Sequence, residues 1–172
     1  FEPVNKTFQA LKINVNHLTN TKCFQHGFGD KEQEMEIYVR DDSSVYSSLV
    51  FSQGKSSKEI VQVRTLDNFC DENNINSIDI LKTDTEGYDL EVLRGGSKML
   101  EARKIKFVLS EVAFYPGKEN TQFLPIFDFL SPYGFRFYGL YDCAYWGTNL
   151  AKGIMFSNAL FVNEKLVKQQ KT

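Results

Sequence analysis

A short apolar run that leads directly into two carboxylates and a glycine constrains this chain more than any other feature. Residues 78–81 form a mostly apolar pattern that predicts a buried strand, and Asp84, Glu86 and Gly87 follow it closely. A short helical pattern then ends at the glycine pair Gly95-Gly96. Because open α/β sheets bind their ligands at the carboxyl ends of the strands, this stretch predicts a ligand cleft and indicates an enzyme.

Strand and helix patterns alternate along most of the chain. Apolar runs and alternating residues predict strands at residues 21–28, 35–39, 60–63, 78–81, 105–112, 135–141 and 159–162. Helical spacing of apolar residues predicts helices at residues 4–18, 66–70, 90–93, 97–100 and 123–130. Residues 41–58 are polar and Ser-rich, and they predict a loop with a short strand near residues 46–51.

Capping residues support several of these helix ends. Thr65 or Asp67 is expected to open the helix at residues 66–70, and Ser97 the helix at residues 97–100. Gly95-Gly96 is expected to close the preceding helix, because glycine tolerates the left-handed conformation in which helices often end.

This order of elements predicts an α/β fold with one mainly parallel sheet covered on both faces. The end of the chain differs, because no helix lies between the last two strands, and these are expected to form an antiparallel pair. Neither a repeat nor a linker divides the sequence, so residues 1–172 are expected to form a single domain.

The bulk composition narrows the possible partners. The net charge is −2 and no basic block is present, which argues against a nucleic-acid partner. No apolar run approaches the length of a membrane span, and a cytoplasmic location is the expectation. The three widely spaced cysteines indicate reduced thiols. The start at Phe1 indicates a piece of a longer protein, in which a targeting or anchoring segment can lie upstream.

Several motifs, taken in order, resemble the FkbM-type methyltransferases. They are residues 1–3 (Phe-Glu-Pro), 27–30 (Gly-Phe-Gly-Asp), 63–67 (Val-Arg-Thr-Leu-Asp), 79–87 with 91–95, and 110–112 (Ser-Glu-Val). The resemblance covers most of the chain and is most specific in the Asp84-Thr85-Glu86-Gly87 segment. It implies S-adenosylmethionine (SAM) as cofactor and a Rossmann-like class I methyltransferase sheet, mainly parallel with an antiparallel C-terminal strand.

One part of the family pattern is absent. The first strand and the glycine-rich loop that wraps the methionine part of SAM have no counterpart in this sequence, so the chain resembles an N-terminally truncated domain. Because the first strand is central in the family's sheet, its absence implies a break in the middle of the sheet and unpaired backbone groups beside it. Residues 1–172 alone are therefore expected neither to fold normally nor to bind SAM tightly, and the fragment alone is expected to be inactive.

Three residues are expected to contact the nucleoside part of the cofactor. Glu2 can accept hydrogen bonds from both ribose hydroxyls, as the acidic residue of dinucleotide folds does, or it can be a favourable charge at a helix N-terminus. The resemblance places Gly27 and Phe28 against the adenine ring. The alternatives are a plain strand end for Gly27 and a core position for Phe28.

Three carboxylates are expected near the methyl donor and the acceptor. Asp84 can attract the cationic donor or take a proton from an acceptor hydroxyl, and Glu86 can share the first role. Either can instead cap the helix that follows. Glu111, which ends the neighbouring strand, is a second possible base or a partner for a nearby Lys or Arg. Asp89 and Glu91 are expected to be solvated helix charges.

The two histidines are expected to be structural. His17 lies next to the apolar stripe of the first helix, and His26 lies on a strand. Neither has Cys, Asp or Glu neighbours at metal-ligand spacing, so the sequence predicts no metal site.

The sequence therefore predicts a SAM-dependent O-methyltransferase that acts on a hydroxyl of a sugar or secondary metabolite, a small-molecule or glycan acceptor. The acceptor class follows from the resemblance only. Asp84 is the first choice for the base and Glu111 the second. Two alternatives stay open: a Rossmann-like domain that binds a nicotinamide cofactor, and a non-catalytic methyltransferase-like interaction module.

Overall fold

A computed structural model of the chain describes residues 1–40, 56–115, 121–145 and 153–168. The helices are α1 (Asn5–Val15), α2 (Leu66–Glu72), α3 (Asp89–Arg94), α4 (Ser97–Glu101), α5 (Phe123–Leu130) and α6 (Glu164–Lys168). The strands are β1 (Gly27–Phe28), β2 (Gln33–Arg40), β3 (Ser56–Arg64), β4 (Ile78–Thr83), β5 (Ile105–Ala113), β6 (Phe135–Tyr145) and β7 (Ile154–Asn163).

The described strands form two sheets, and the prediction of one mainly parallel sheet is wrong. The smaller sheet has the order β1-β3-β2 and the larger one the order β4-β5-β7-β6. Only β1–β3 and β4–β5 are parallel, whereas β2–β3, β5–β7 and β6–β7 are antiparallel. Antiparallel pairing dominates because the consecutive strands β2 and β3, and likewise β6 and β7, pair directly with each other. The separation into two sheets agrees with the break that the resemblance implies.

The antiparallel ending is confirmed. Helix α5 leads through a 3₁₀ turn at Ser131–Tyr133 to Gly134, whose φ of 90° is left-handed. Glycine is favoured at such a position because it has no Cβ to clash. From there β6 begins, and it pairs antiparallel with β7 from Phe135↔Asn163 to Tyr145↔Ile154. The last two strands therefore lie side by side as the sequence predicted.

The main hydrophobic core lies on one face of the larger sheet. Side chains that are at most 1% exposed come from β5, β6, β7 and α5: Val108, Val112, Phe135, Ala159, Phe161, Ile126 and Leu130. The same cluster includes Phe28, Leu66, Phe69 and Leu93, which join the smaller sheet, α2 and α3 to it. On the opposite face Phe107, Leu109, Leu160 and Val162 are only half-buried, so cover on both faces is not found in the part of the chain described.

Three local expectations on the strands need correction. The strand predicted at residues 21–28 is regular only at β1, because the Phe24 carbonyl accepts from Glu2 N (3.1 Å) rather than from β3. The apolar strand at residues 78–81 is not buried: Ile80 is 63% exposed, because among the described strands only β5 pairs with β4. Residues 56–58 belong to β3 rather than to a loop, and residues 41–55, with the short strand near residues 46–51, lie outside the described chain.

The glycine pair ends α3 for a different reason from the one predicted. Gly95 has a φ of −66°, which is right-handed. A Cβ on Gly95 would overlap the carbonyl oxygen of Gly29, and one on Gly96 would lie 2.8 Å from Leu66 Cδ2. Close approach of neighbouring segments, rather than a left-handed backbone, therefore requires glycine here.

Asp67 caps α4, although Ser97 was expected to do so. The N-cap of α4 is Gly96, and the Asp67 carboxylate accepts hydrogen bonds from Lys98 N (2.9 Å) and Met99 N (3.0 Å). Thr65 caps α2 as predicted, since its Oγ1 accepts from Asn68 N at 3.3 Å. Asp67 thus connects α2 to α4 through hydrogen bonds and holds α2, the helix that precedes the cleft-lining strand β4, in place.

Candidate functional site

A cleft of about 640 Å³ lies between the two sheets. Its volume is within the range usual for small-molecule sites. Three separate segments line it: residues 1–3, residues 26–28, and residue 78 with residues 80–86, with further side chains from β2, α2 and α3. Five of the six predicted site residues lie on its wall, namely Glu2, Gly27, Phe28, Asp84 and Glu86. The fold therefore brings together residues that are up to 84 positions apart in the sequence (86 − 2).

A tight turn presents the two acids after β4. Tyr88 N donates to the Thr85 carbonyl at 3.3 Å, and the two central residues, Glu86 and Gly87, have φ values of 51° and 96°. Two successive positive φ angles are typical of a type I′ turn, which favours glycine. The alternative role of Asp84 as a helix cap is not found, because Thr121 Oγ1 accepts from the first N–H of α3, that of Asp89 (3.3 Å).

Asp84 forms an ion pair that the sequence analysis missed. Lys82 Nζ donates to Asp84 Oδ2 at 2.5 Å, and both side chains are about half-exposed, at 48% and 46%. Residues two apart on a strand project from the same face, a spacing that is visible in the sequence and that identifies Lys82 as the partner. Both residues line the cleft, so a cation and an anion are held together at its rim.

Glu111 lies beside the cleft and is not among the described residues that line it. Thr83 of β4 pairs with Ser110 of β5, and Thr83 Oγ1 donates to Ser110 Oγ at 2.8 Å. Asp84 and Glu111 follow these two residues directly. Burial raises the pKa of Glu111 to about 7, and the negative charges of Asp84, Glu86 and Asp89 contribute to the rise. A carboxyl with this pKa can accept a proton near neutral pH.

Asp89 is buried, and its prediction as a solvated helix charge is wrong. It is 1% exposed, and burial raises the pKa of its carboxyl. Its Oδ2 accepts from Thr121 Oγ1 at 3.4 Å, while Oδ1 has no hydrogen-bond partner among the described residues. The sequence held no signal for this burial, because an acid in a first helical turn is usually exposed. Glu91, in contrast, is partly exposed and pairs with Arg94 at 3.2 Å.

Glu2 stabilises the start of α1 and also lines the cleft. Its Oε1 accepts a hydrogen bond from Val4 N at 2.8 Å, so one oxygen serves the start of α1. Burial raises the pKa of this carboxyl above its ordinary value. No described residue donates a hydrogen bond to Oε2. The two interpretations of Glu2 from the sequence are thus compatible, since each needs only one of its oxygens.

Gly27 and Phe28 lie on the cleft wall in different surroundings. A Cβ on Gly27 would meet Pro3 Cγ at 3.7 Å and Val63 Cγ2 at 3.9 Å, which are ordinary contacts, so the packing of the protein itself does not require glycine. Phe28 is 9% exposed and its ring centroid lies 4.6 Å from that of Phe1 and 5.5 Å from that of Phe69. Phe28 is therefore both a core residue and a residue of the cleft.

Two polar atoms in the wall have no hydrogen-bond partner in the described part of the chain. They are His26 Nε2 and Thr85 Oγ1, both buried on residues that line the cleft. His26 Nδ1 lies 3.1 Å from the Gly27 carbonyl oxygen, and burial lowers the pKa of the imidazole. A neutral imidazole that donates through Nδ1 keeps Nε2 as an acceptor. Unpaired buried polar atoms are costly, so the wall is suited to a ligand that carries hydrogen-bond donors and acceptors.

The described residues contain no group of three or more His, Cys, Asp and Glu side chains placed to hold a metal ion. His17 is exposed on the turn after α1. Within the same part of the chain, no helix is both long enough and apolar enough to cross a membrane.

Comparison with known proteins agrees with the family that the motifs resemble. The model of the methyltransferase FkbM domain matches residues 1–137, which is more than half of the 172-residue chain. The match includes all six predicted site residues and ends within β6. No curated protein and no solved structure matches the chain closely enough for comparison. The chain belongs to the FkbM methyltransferase family.

Proposed function

We propose that this chain is the major part of a single SAM-dependent methyltransferase domain that transfers a methyl group to a hydroxyl oxygen of a sugar or secondary metabolite. The observation that carries the proposal is the convergence of Glu2, Gly27, Phe28, Asp84 and Glu86 on one cleft. Sequence motifs predict all five as residues of the donor site. The family match supports methyl transfer as the reaction class.

The residues of the cleft fit the parts of SAM. In this proposal the second oxygen of Glu2 accepts from the ribose, and the adenine ring occupies the space beside Gly27 and next to Phe28. Asp84 and Glu86 provide negative charge for the cationic amino and sulfonium groups. His26 Nε2 and Thr85 Oγ1 offer polar atoms that the protein itself does not satisfy. When bound, SAM would supply an electrophilic methyl group on a positively charged sulfur.

The contacts favour Glu111 over Asp84 as the base, which reverses the order inferred from the sequence. Asp84 is engaged by the Lys82 ammonium at 2.5 Å. The pKa of Glu111 is raised to about 7 by burial and by neighbouring negative charges, which suits a group that accepts a proton at neutral pH. In this scheme Asp84 holds the donor, and Glu111 takes the proton of the acceptor hydroxyl as the new carbon–oxygen bond forms.

The class I, Rossmann-like arrangement is part of this proposal. The order β4-β5-β7-β6 with an antiparallel β7 supports it, as does a cleft at the carboxyl ends of β1 and β4. Placement of acceptor and donor along one axis would provide much of the rate enhancement, because methyl transfer is a direct displacement.

Calorimetric titration of the full-length protein with SAM and with NAD tests the proposal. We expect a Kd for SAM of the order of micromolar and no measurable heat with NAD. Glu2→Gln should weaken SAM binding by about tenfold, because one ribose hydrogen bond to a charged acceptor is lost. The exposed Glu101→Gln serves as the matched control. Binding of NAD but not SAM would establish the nicotinamide alternative, and binding of neither would favour the interaction module.

A further inference from the structure

A row of hydrogen-bonding side chains crosses the larger sheet next to the cleft. Glu111 of β5 pairs directly with Asn158 of β7, and Asn158 pairs directly with Tyr141 of β6. Direct cross-strand partners project from the same face, with Cβ atoms about 4.5–5.5 Å apart. We call Glu111, Asn158 and Tyr141 the polar row.

The polar row lies on the face opposite the hydrophobic core. The alternate residues of the same strands, Ser110, Val112, Ser157 and Ala159, are 0% exposed on the core side. Glu111 and Asn158 are half-buried, and Tyr141 is 45% exposed. The row therefore runs from Glu111, beside the cleft, to a more open position at Tyr141.

Asn158 has capacity for hydrogen bonding that the protein does not use. Its Oδ1 is buried and has no partner among the described residues. A side-chain amide carries two donors on nitrogen and an acceptor on oxygen. Because an unsatisfied buried acceptor costs free energy, a bound hydroxyl at this point would gain from it.

Tyr141 supplies a flat aromatic surface at the end of the row. A Cβ built on Gly139 would lie 3.8 Å from Tyr141 Cε2 and 3.9 Å from its hydroxyl oxygen. The ring therefore extends over Gly139 on the same face as Asn158. Tyrosine rings in such positions combine an apolar face with a polar edge, which suits the C–H face and the hydroxyls of a sugar ring.

The charges around the row point to a neutral ligand. The row itself has one carboxyl, one amide and one phenol, and no Lys or Arg. Two cations of the described strands share this face: Lys82 pairs with Asp84 at 2.5 Å, and Arg136 pairs with Glu164 at 3.7 Å. A phosphorylated or carboxylated acceptor would meet the Glu111 carboxyl while both of these cations are already ion-paired, so they would do little to offset the repulsion.

We propose that the polar row is the acceptor site and that it takes a neutral, polyhydroxylated ring such as a glycoside. Asn158 binds two neighbouring hydroxyls, Tyr141 packs against the ring, and Glu111 contacts the reacting hydroxyl. The carbon–sulfur bond of the donor breaks, the carbon–oxygen bond forms, and the hydroxyl proton passes to the Glu111 carboxylate. This assignment rests on the proposed function, and it adds two residues, Asn158 and Tyr141, to the site.

Saturation-transfer NMR on the full-length protein tests the assignment. The probes are methyl glucoside, methyl mannoside and methyl rhamnoside, each with S-adenosylhomocysteine present, and glucose 6-phosphate is the charged comparison. We expect saturation of at least one methyl glycoside and none of the phosphate. Tyr141→Ala and Asn158→Ala should each raise the glycoside Kd by about tenfold or more, while Tyr141→Phe retains most of the binding.

Tyr138→Ala is the matched control, because Tyr138 lies on the same strand, is 71% exposed and is not part of the polar row. Calorimetry with SAM on the same samples separates the two proposals. Donor binding without any glycoside signal, stronger binding of the phosphate, or unchanged binding in Tyr141→Ala and Asn158→Ala would each overturn the acceptor assignment alone. Failure of the wild-type protein to bind SAM would contradict the proposed function itself.

Discussion

Thr83 Oγ1 donates a 2.8 Å hydrogen bond to Ser110 Oγ, and this contact joins the ends of two parallel strands immediately before Asp84 and Glu111. Both hydroxyl-bearing residues are at most 2% exposed. The bond therefore fixes the relative position of two acids that are 27 residues apart in the sequence. It places Asp84, the proposed donor-binding group, in the cleft wall with Glu111, the proposed proton acceptor, beside it.

Replacement of Glu111 by Gln should abolish most of the turnover while SAM still binds. The amide cannot accept the hydroxyl proton, so we expect kcat to fall by about 10²–10⁴-fold, the usual contribution of a general base. The wild-type rate should rise with pH through about 7, because the pKa of Glu111 is raised to about 7. Steady-state kinetics against pH is the measurement, and a rate in Glu111→Gln equal to wild type would remove Glu111 from the reaction.

Replacement of Asp84 by Asn should act chiefly on the donor. Loss of a negative charge near the cationic groups of SAM should raise its Kd by about tenfold or more, with a smaller effect on kcat. Asp79→Asn is the matched control, because this side chain lies on β4, the strand that leads to Asp84, and is 90% exposed. Calorimetry and kinetics on both variants provide the comparison. A large loss of kcat with unchanged SAM affinity would instead restore Asp84 as the base.

Two glycine-to-alanine variants should distinguish a glycine that is required for packing from a glycine that is required for ligand binding. In Gly95→Ala the new Cβ would overlap the Gly29 carbonyl oxygen, a backbone atom that cannot move away alone. We expect a loss of about 2–3 kcal/mol or more in the free energy of unfolding. In Gly27→Ala the nearest atom lies 3.7 Å from the Cβ, so stability should be retained while SAM binding weakens. Urea denaturation and calorimetry test both, and equal stabilities for the two variants would contradict this account.

Replacement of Asp67 by Ala should destabilise the protein without direct involvement in the cleft. The carboxylate is 7% exposed and accepts from the backbone N–H groups of Lys98 and Met99. Loss of two hydrogen bonds at a helix N-terminus should cost about 1–3 kcal/mol. Asp71→Ala, an exposed position on the same helix, is the control. Indistinguishable urea midpoints for the two variants would show that the cap contributes little.

The stability of the folded protein should depend on pH through Glu111. Its folded-state pKa of about 7 lies above the ordinary value of 4.5, so between these values the folded state binds more protons than the unfolded state. Stability from this group is therefore present below pH 4.5 and is lost as the pH rises towards 7. We expect a loss of about 1–2 kcal/mol after allowance for solvent screening. Urea unfolding at pH 5 and pH 8 measures it, and Glu111→Gln should reduce the stability difference between the two pH values by this amount.

Local patterns were sufficient for most of the elements. The alternation of apolar residues predicted β2 and the antiparallel pair β6–β7, and the Thr65 cap predicted the start of α2. These features depend on neighbours in sequence, since strand and helix periodicity repeat within a few residues. Asp84, Glu86 and Gly87 were recognised for the same reason, because an acid-rich turn after an apolar run is a local signal.

Local sequence patterns could not predict contacts between segments that are distant in the sequence. The burial of Asp89 follows from Thr121, 32 residues away, and the need for glycine at position 95 follows from the backbone at Gly29. The exposure of Ile80 depends on which strands pair with β4. None of these has a periodic signal.

The sequence by itself determined the family and five of the residues that line the cleft, because the residues that define each motif lie close together in the sequence. Only the tertiary structure decided how the carboxylates differ. Burial and neighbouring charge raise the pKa of Glu111, whereas an ion pair with Lys82 engages Asp84. Desolvation and Coulomb interactions depend on distances in space, and these distances exist only once the strands have paired.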